Sequence, residues 1–190
     1  MISTARASLL TGAYETLGTG GLIRAAEFTP RVTNGPMNDQ IESAGQSITY
    51  DVLDFDATTE EAAHILLAMP DSWDLGTIKA KFYWDAKATA SGDVVWGISG
   101  GHLADSGVID TALGTEVTVT DTVLTVGDVH VTAATGAVTI AGTLALGGLV
   151  ILEVARVAAD GADTVAVDAR LLGVSIQFKT LRSASGPAAW

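Results

Sequence analysis

Apolar and polar residues alternate in twos along this chain, and that period limits the fold more than any other feature. Ile78, Ala80, Phe82 and Trp84 fall on one side of an extended backbone, with Lys79, Lys81 and Tyr83 on the other. Leu172, Val174, Ile176 and Phe178 repeat the pattern, opposite Gly173, Ser175, Gln177 and Lys179. Such a period belongs to strands with one face in a core and one in water. Further strands are predicted near Leu22–Phe28, Ser47–Phe55, His64–Met69, Asp93–Ser99, Glu116–Thr120, Asp128–Thr132, Val138–Ala141, Leu149–Val157 and Val165–Leu171. The run Leu149-Val150-Ile151-Leu152 is apolar on both faces, which places its strand centrally.

Turn residues punctuate these runs at short intervals, as in Met69-Pro70-Asp71-Ser72, Gly147-Gly148 and Asp160-Gly161-Ala162-Asp163. Many short strands with regular turns predict an all-β fold, a jelly-roll-like antiparallel β-sandwich of about eight strands. No strand–helix–strand rhythm is present to build a parallel sheet. Thr58-Thr59-Glu60-Glu61 offers a start for a short helix, and Ala5–Leu17 suits a helix or an extended segment. The 190 residues divide into an extended N-terminal arm over 1–21, a sandwich over 22–182 and a tail over 183–190. The arm is rich in small residues and ends in Gly18-Thr19-Gly20-Gly21, a flexible joint.

Composition excludes several functions. Ten Lys and Arg stand against 22 Asp and Glu, a net charge of −12, which argues against nucleic acid as a partner. Cysteine is absent, so thiolate metal sites and Cys nucleophiles are excluded. Val131–Leu152 contains no Asp, Glu, Lys or Arg but is broken by Gly136, Gly142, Gly147 and Gly148, so no membrane span is expected. His64, His102 and His130 have no zinc-site spacing, and His64 is expected to be a hydrogen-bonded core or interface residue. Asp54, Asp56 and Thr58 imitate the start of a calcium loop, but Thr59 and Ile65 stand where its Gly and Glu belong. Ser99 in Gly97-Ile98-Ser99-Gly100-Gly101 lacks the following helix of a nucleophile elbow. No catalytic residue, metal or cofactor is therefore expected, and the chain is read as a non-enzyme.

Candidate partner-binding residues lie at the two ends. Leu9, Leu10, Tyr14 and Leu17 are spaced to fill pockets on a partner or to alternate along an added strand. Arg6 is placed to pair with an acidic scaffold, and Trp190 to anchor the tail on a partner surface. Ala88–Ala155 holds no Lys or Arg, so the basic residues are confined to the two flanks.

The stretch Met69-Pro70-Asp71-Ser72-Trp73-Asp74-Leu75-Gly76-Thr77, the strand end Phe82-Tyr83-Trp84, Gly114-Thr115, Val117–Asp121, Arg156, Asp160–Thr164 and Asp168–Val174 resemble a group of small tailed-phage virion structural proteins with β-sandwich bodies. The resemblance runs from Tyr50 to Lys179 and carries no functional residue. It implies a capsid decoration or cement protein on the particle surface, assembled in the host cytoplasm. Its partners would be the major capsid protein or other virion subunits, with a homotrimer favoured. A head or tail fibre or receptor-binding protein recognising host surface glycans is the second reading.

Overall fold

The computed structural model describes residues 13–18, 20–125 and 127–181. Their strands are β1 (Tyr14–Thr16), β2 (Ile23–Arg24), β3 (Thr29–Pro30), β4 (Met37–Glu42), β5 (Thr49–Phe55), β6 (Glu61–Ala68), β7 (Trp73–Ala86), β8 (Asp93–Leu103), β9 (Val117–Thr122), β10 (His130–Val131), β11 (Leu149–Arg156) and β12 (Ala169–Thr180). Eight of them run six residues or more, and β1, β2, β3 and β10 are stubs of two or three. They form two antiparallel sheets. The first is ordered β10-β7-β12-β5-β4, with β1 and β2 also pairing with β12; the second is ordered β3-β6-β11-β8-β9. The chain changes sheet at each step from β5 to β8, and β11 and β12 then insert between strands already laid down. The fold is the expected all-β, jelly-roll-like sandwich, and β11 is central as its two-faced apolarity requires.

The inward faces meet around three tryptophans. Trp73, Trp84 and Trp96 are buried, and Trp96 of the second sheet stacks on Phe82 at 5.4 Å and meets Phe55 edge-on at 5.2 Å. These contacts lock β8 against β5 and β7. Along β7 the faces fall as the period predicts: Ile78, Ala80, Phe82 and Trp84 are buried, while Lys79 and Lys81 are exposed and Tyr83 is half-buried. β12 differs at one point. A register shift between Leu171 and Gly173 turns Leu171 into the core beside Val174, Ile176 and Phe178, and leaves Leu172 half-buried.

Several predicted boundaries are corrected. Thr58–Glu61 starts no helix, because the Asp56 carboxylate accepts hydrogen bonds from the Thr58 and Thr59 amides at 2.7 Å and closes a turn. Val138–Ala141 makes only isolated bridges to Ile78 and Gly101 as it passes from one sheet to the other. β12 begins at Ala169 rather than near Val165, since the Val165 and Val167 carbonyls accept from the buried Arg156 guanidinium instead of a neighbouring strand. β4 has no counterpart among the predicted strands: in Met-Asn-Asp-Gln-Ile-Glu only two residues are apolar, as suits an exposed edge. Among the described residues no helix is long and apolar enough to cross a membrane.

The span drawn as an arm contributes to the body. β1 pairs with β12, Tyr14 opposite Lys179 and Thr16 opposite Gln177, and Leu17 is 9% exposed within the core. The joint is placed too late in the chain, because a strand and a core residue precede it.

Candidate functional site: the outer face of the first sheet

The outward side chains of β7 and β12 lie side by side. Register places Lys81 opposite Ser175 and Lys79 opposite Gln177, with Tyr83 opposite Gly173. On the far side of β12, β1 brings Thr16 against Gln177 and Tyr14 against Lys179, and β2 brings Arg24 against Gly173. Together they form a shallow hollow of about 180 Å³ lined by Thr16, Lys79, Lys81, Tyr83, Ala134, Ser175 and Gln177. Hydroxyls, an amide, ammonium groups and a phenol all converge there. Among the described residues no carboxylate lines it.

The far edge of β7 is sealed by the segment after β10. Thr132 Oγ1 accepts from the Phe82 amide at 3.1 Å, and Thr135 Oγ1 accepts from the Ala80 amide at 3.0 Å. These bonds occupy donors that an open edge would offer to another chain, so β7 presents its face rather than its edge.

The outer face of the second sheet carries a larger trough of about 630 Å³. Its floor is aliphatic, formed by Leu66, 51% exposed, and Ile151. Three of its ionisable groups are engaged with one another: His64 Nε2 lies 2.7 Å from Glu153 Oε2, and Arg31 Nη1 lies 3.9 Å from the same oxygen. His64 is half-buried and hydrogen-bonded across the β6–β11 pair. The β8 half of this face is roofed, since a Cβ at Gly101 would stand 2.8 Å from the Ala112 carbonyl. Among the described residues no Phe, Tyr or Trp side chain lines the trough.

Three ion-paired clusters hold the fold. Lys87 bridges Asp54 and Asp168, Arg170 clasps Asp85, and Arg156 clasps Asp163. Burial pushes the Asp54 and Glu61 carboxyls up, against the Lys87 contact that lowers Asp54 and the Asp56 amide that lowers Glu61. The Thr58 and Thr59 donors hold Asp56 down at about 2. His102 Nε2 meets the backbone of Ala145, and the His130 ring packs on Trp84 at 4.8 Å. Ser99 is buried in the middle of β8. Among the described residues no three of His, Asp and Glu come together in a way that would hold a metal ion.

Of the predicted partner-binding residues, the structure brings only Tyr14, 65% exposed, to the face of the first sheet. Leu17 faces the core and is not available to a partner's pocket. Arg6, Leu9, Leu10 and Trp190 lie outside the described residues. Lys79, Lys81, Tyr83, Gln177 and Lys179 went unrecognised as a group, although each was placed on the outward side of its strand. Their signal was present as the two outward patterns Lys-x-Lys-x-Tyr and Ser-x-Gln-x-Lys. What joins them is the pairing of β7 with β12.

No family model and no curated protein matches the sequence. Among solved structures the chain is similar to a family 11 carbohydrate-binding module from Clostridium thermocellum in complex with a β-1,3-1,4-mixed-linked tetrasaccharide. That similarity is at 10% identity and TM-score 0.41, over 94% of each chain. It is also similar to the family 11 carbohydrate-binding module of the cellulosomal cellulase Lic26A-Cel5E of Clostridium thermocellum. Here the identity is 11% and the TM-score 0.38, over 93% of this chain and 91% of that one. The expectation of a capsid decoration protein is corrected here: these similar structures are carbohydrate-binding modules, not particle proteins. The geometry also removes part of its basis, because the end of the anchoring arm is built into the chain's own sheet and core.

Proposed function

We propose that the protein is a non-catalytic glycan-binding module, with its ligand laid across the outer face of the first sheet. One observation carries this reading: a preformed hollow on that face gathers Gln177, Ser175, Thr16, Lys79, Lys81 and Tyr83 with no carboxylate among them. Sugar hydroxyls both donate and accept hydrogen bonds. The Gln177 amide and the Ser175 and Thr16 hydroxyls do the same. The Tyr83 ring and the lysine stems offer apolar surface to the C–H side of a pyranose. Because the platform is two paired strands, little ordering cost accompanies binding. Glycoside hydrolysis runs in most cases on two carboxyl groups flanking the bond, and this lining supplies none.

Electrophoresis through gels containing soluble polysaccharides, acidic and neutral, tests the reading. At least one polysaccharide is expected to retard the protein, with Tyr83→Ala and Gln177→Ala each weakening retention about tenfold, the equivalent of ~1.4 kcal/mol. Gln177→Ala, at an exposed position, should melt within about 2 °C of the parent, and Tyr83→Ala, at a half-buried one, is read with a melting curve that shows it folded. If no polysaccharide retards the protein, or if both variants bind as the parent does, the reading is overturned.

A further inference from the structure

We propose that the glycan is acidic, a polysaccharide bearing carboxylate or sulfate groups, and that Lys79, Lys81 and Lys179 read its charges. This inference rests on the glycan-binding reading and assigns its ligand class. The chain has ten Lys and Arg side chains, of which Arg6 and Arg182 lie outside the described residues. Arg31, Lys87, Arg156 and Arg170 each face a carboxylate. The remaining four are Arg24, Lys79, Lys81 and Lys179. None of them makes an ion pair among the described residues, and register sets all four along β2, β7 and β12 of the first sheet. Three of the chain's four lysines are in this group.

The nearby acids do not neutralise the row. Glu27 turns its carboxylate to the Arg24 backbone amide. Glu15 is paired in register with the inward-facing Phe178, on the opposite side of β1 from Tyr14 and Thr16. On a chain of net charge −12, a surface of unpaired cations is a local reversal of sign, which attracts an anion to one face while the rest repels it. Lys79 and Lys81 are two residues apart on one strand, so their Cα atoms stand about 7 Å from each other. Lysine ammonium groups on flexible stems tolerate variation in where an anion sits, which suits a polymer charged at repeated but uneven points. The amide and hydroxyls between them address the uncharged hydroxyls of the same sugar.

Four probes test this on the intact protein: polygalacturonate for carboxylates, dextran sulfate for sulfate esters, a neutral β-glucan, and single-stranded DNA. Retention by at least one acidic polysaccharide is expected, more than tenfold stronger than by the β-glucan and weakened when salt is raised to about 0.5 M. Which acidic probe wins identifies the anion. The triple variant Lys79→Ala/Lys81→Ala/Lys179→Ala should lose that retention, while Lys→Arg replacements at the same positions keep most of it. A melting curve matching the parent's establishes that the triple variant is folded; if it is not, the three single variants carry the test. Binding of the β-glucan as strong as that of both acidic polysaccharides, or a folded triple variant that binds them undiminished, overturns the acidic assignment and leaves the glycan reading standing. DNA binding as tight as polysaccharide binding overturns it too, since charge alone would then suffice. Failure of every polysaccharide overturns both.

Discussion

Arg156 is the residue on which one end of the sandwich depends. Its side chain is fully buried, and its Nε and Nη2 donate to Asp163 Oδ2 and Oδ1 at 3.0 and 2.8 Å. Nη2 also donates to the Val165 carbonyl at 2.6 Å, and Nη1 to the Val167 carbonyl at 2.8 Å. The guanidinium thus organises the loop between β11 and β12, and Asp163 further accepts from the Val95 amide at 3.0 Å. A buried ion pair adds little over a well-packed apolar pair, but removing one partner strands the other charge at a cost of about 3–5 kcal/mol. Asp163→Asn is therefore expected to lower the melting temperature by roughly 10 °C, at about 2–4 °C per kcal/mol for a chain of this size. A fall of under about 2 °C would show that the carboxylate's charge is not needed. Asp160-Gly161-Ala162-Asp163 was legible as a turn; that its last residue neutralises a buried arginine was not, because nothing local links the two.

Strand β12 organises the first sheet, touching β7 on one side and β5, β2 and β1 in succession on the other. Gly173 lets it do so. A Cβ there would stand 2.5 Å from the Ile23 carbonyl, so Gly173→Ala must push β2 away or flatten the bulge. The expected cost is about 1–3 kcal/mol, and the same displacement would shift Arg24 relative to the outer face of the first sheet. A second element-scale prediction concerns β1. Removing residues 1–12 leaves β1 intact, whereas removing 1–17 also deletes a three-residue strand and the buried Leu17. The longer deletion is expected to melt at least about 4 °C below the shorter one, since losing a buried leucine costs about 2 kcal/mol or more. Equal melting of the two would make β1 dispensable to the fold.

At the scale of the whole molecule, charge governs how stability responds to pH. Burial raises the Asp54, Glu61 and Glu116 carboxyls, so each binds its proton more readily folded than unfolded. Their contribution is complete below the ordinary carboxylate range and is lost as pH rises through their raised values. Asp56, held at about 2, works the other way: its contribution is present above its unfolded value of 3.8 and is lost as pH falls toward 2. Acidification also relieves the self-repulsion of a chain with net charge −12. The melting temperature should therefore rise as pH falls from 7 toward the ordinary carboxylate range, then fall as pH drops toward 2. Thermal scans across that range check it, and a steady decline from pH 7 to pH 5 would contradict it.

Face and depth were legible in the sequence. The alternation in β7 assigned Ile78, Ala80, Phe82 and Trp84 to the core and Lys79 and Lys81 to water, and the two-sided apolar run of β11 put it mid-sheet. Both follow from the side-chain period of an extended backbone, which a strand carries whatever its neighbours. Adjacency was not legible. Which strands pair is decided by hydrogen bonds and burial between segments far apart in the chain, and a one-residue slip would reverse every face. Only the tertiary structure sets β12 beside β7 in a register that puts Gln177 against Lys79 and Ser175 against Lys81. Two outward rows that are separately unremarkable polar surface thereby become one cationic, hydroxyl-lined platform.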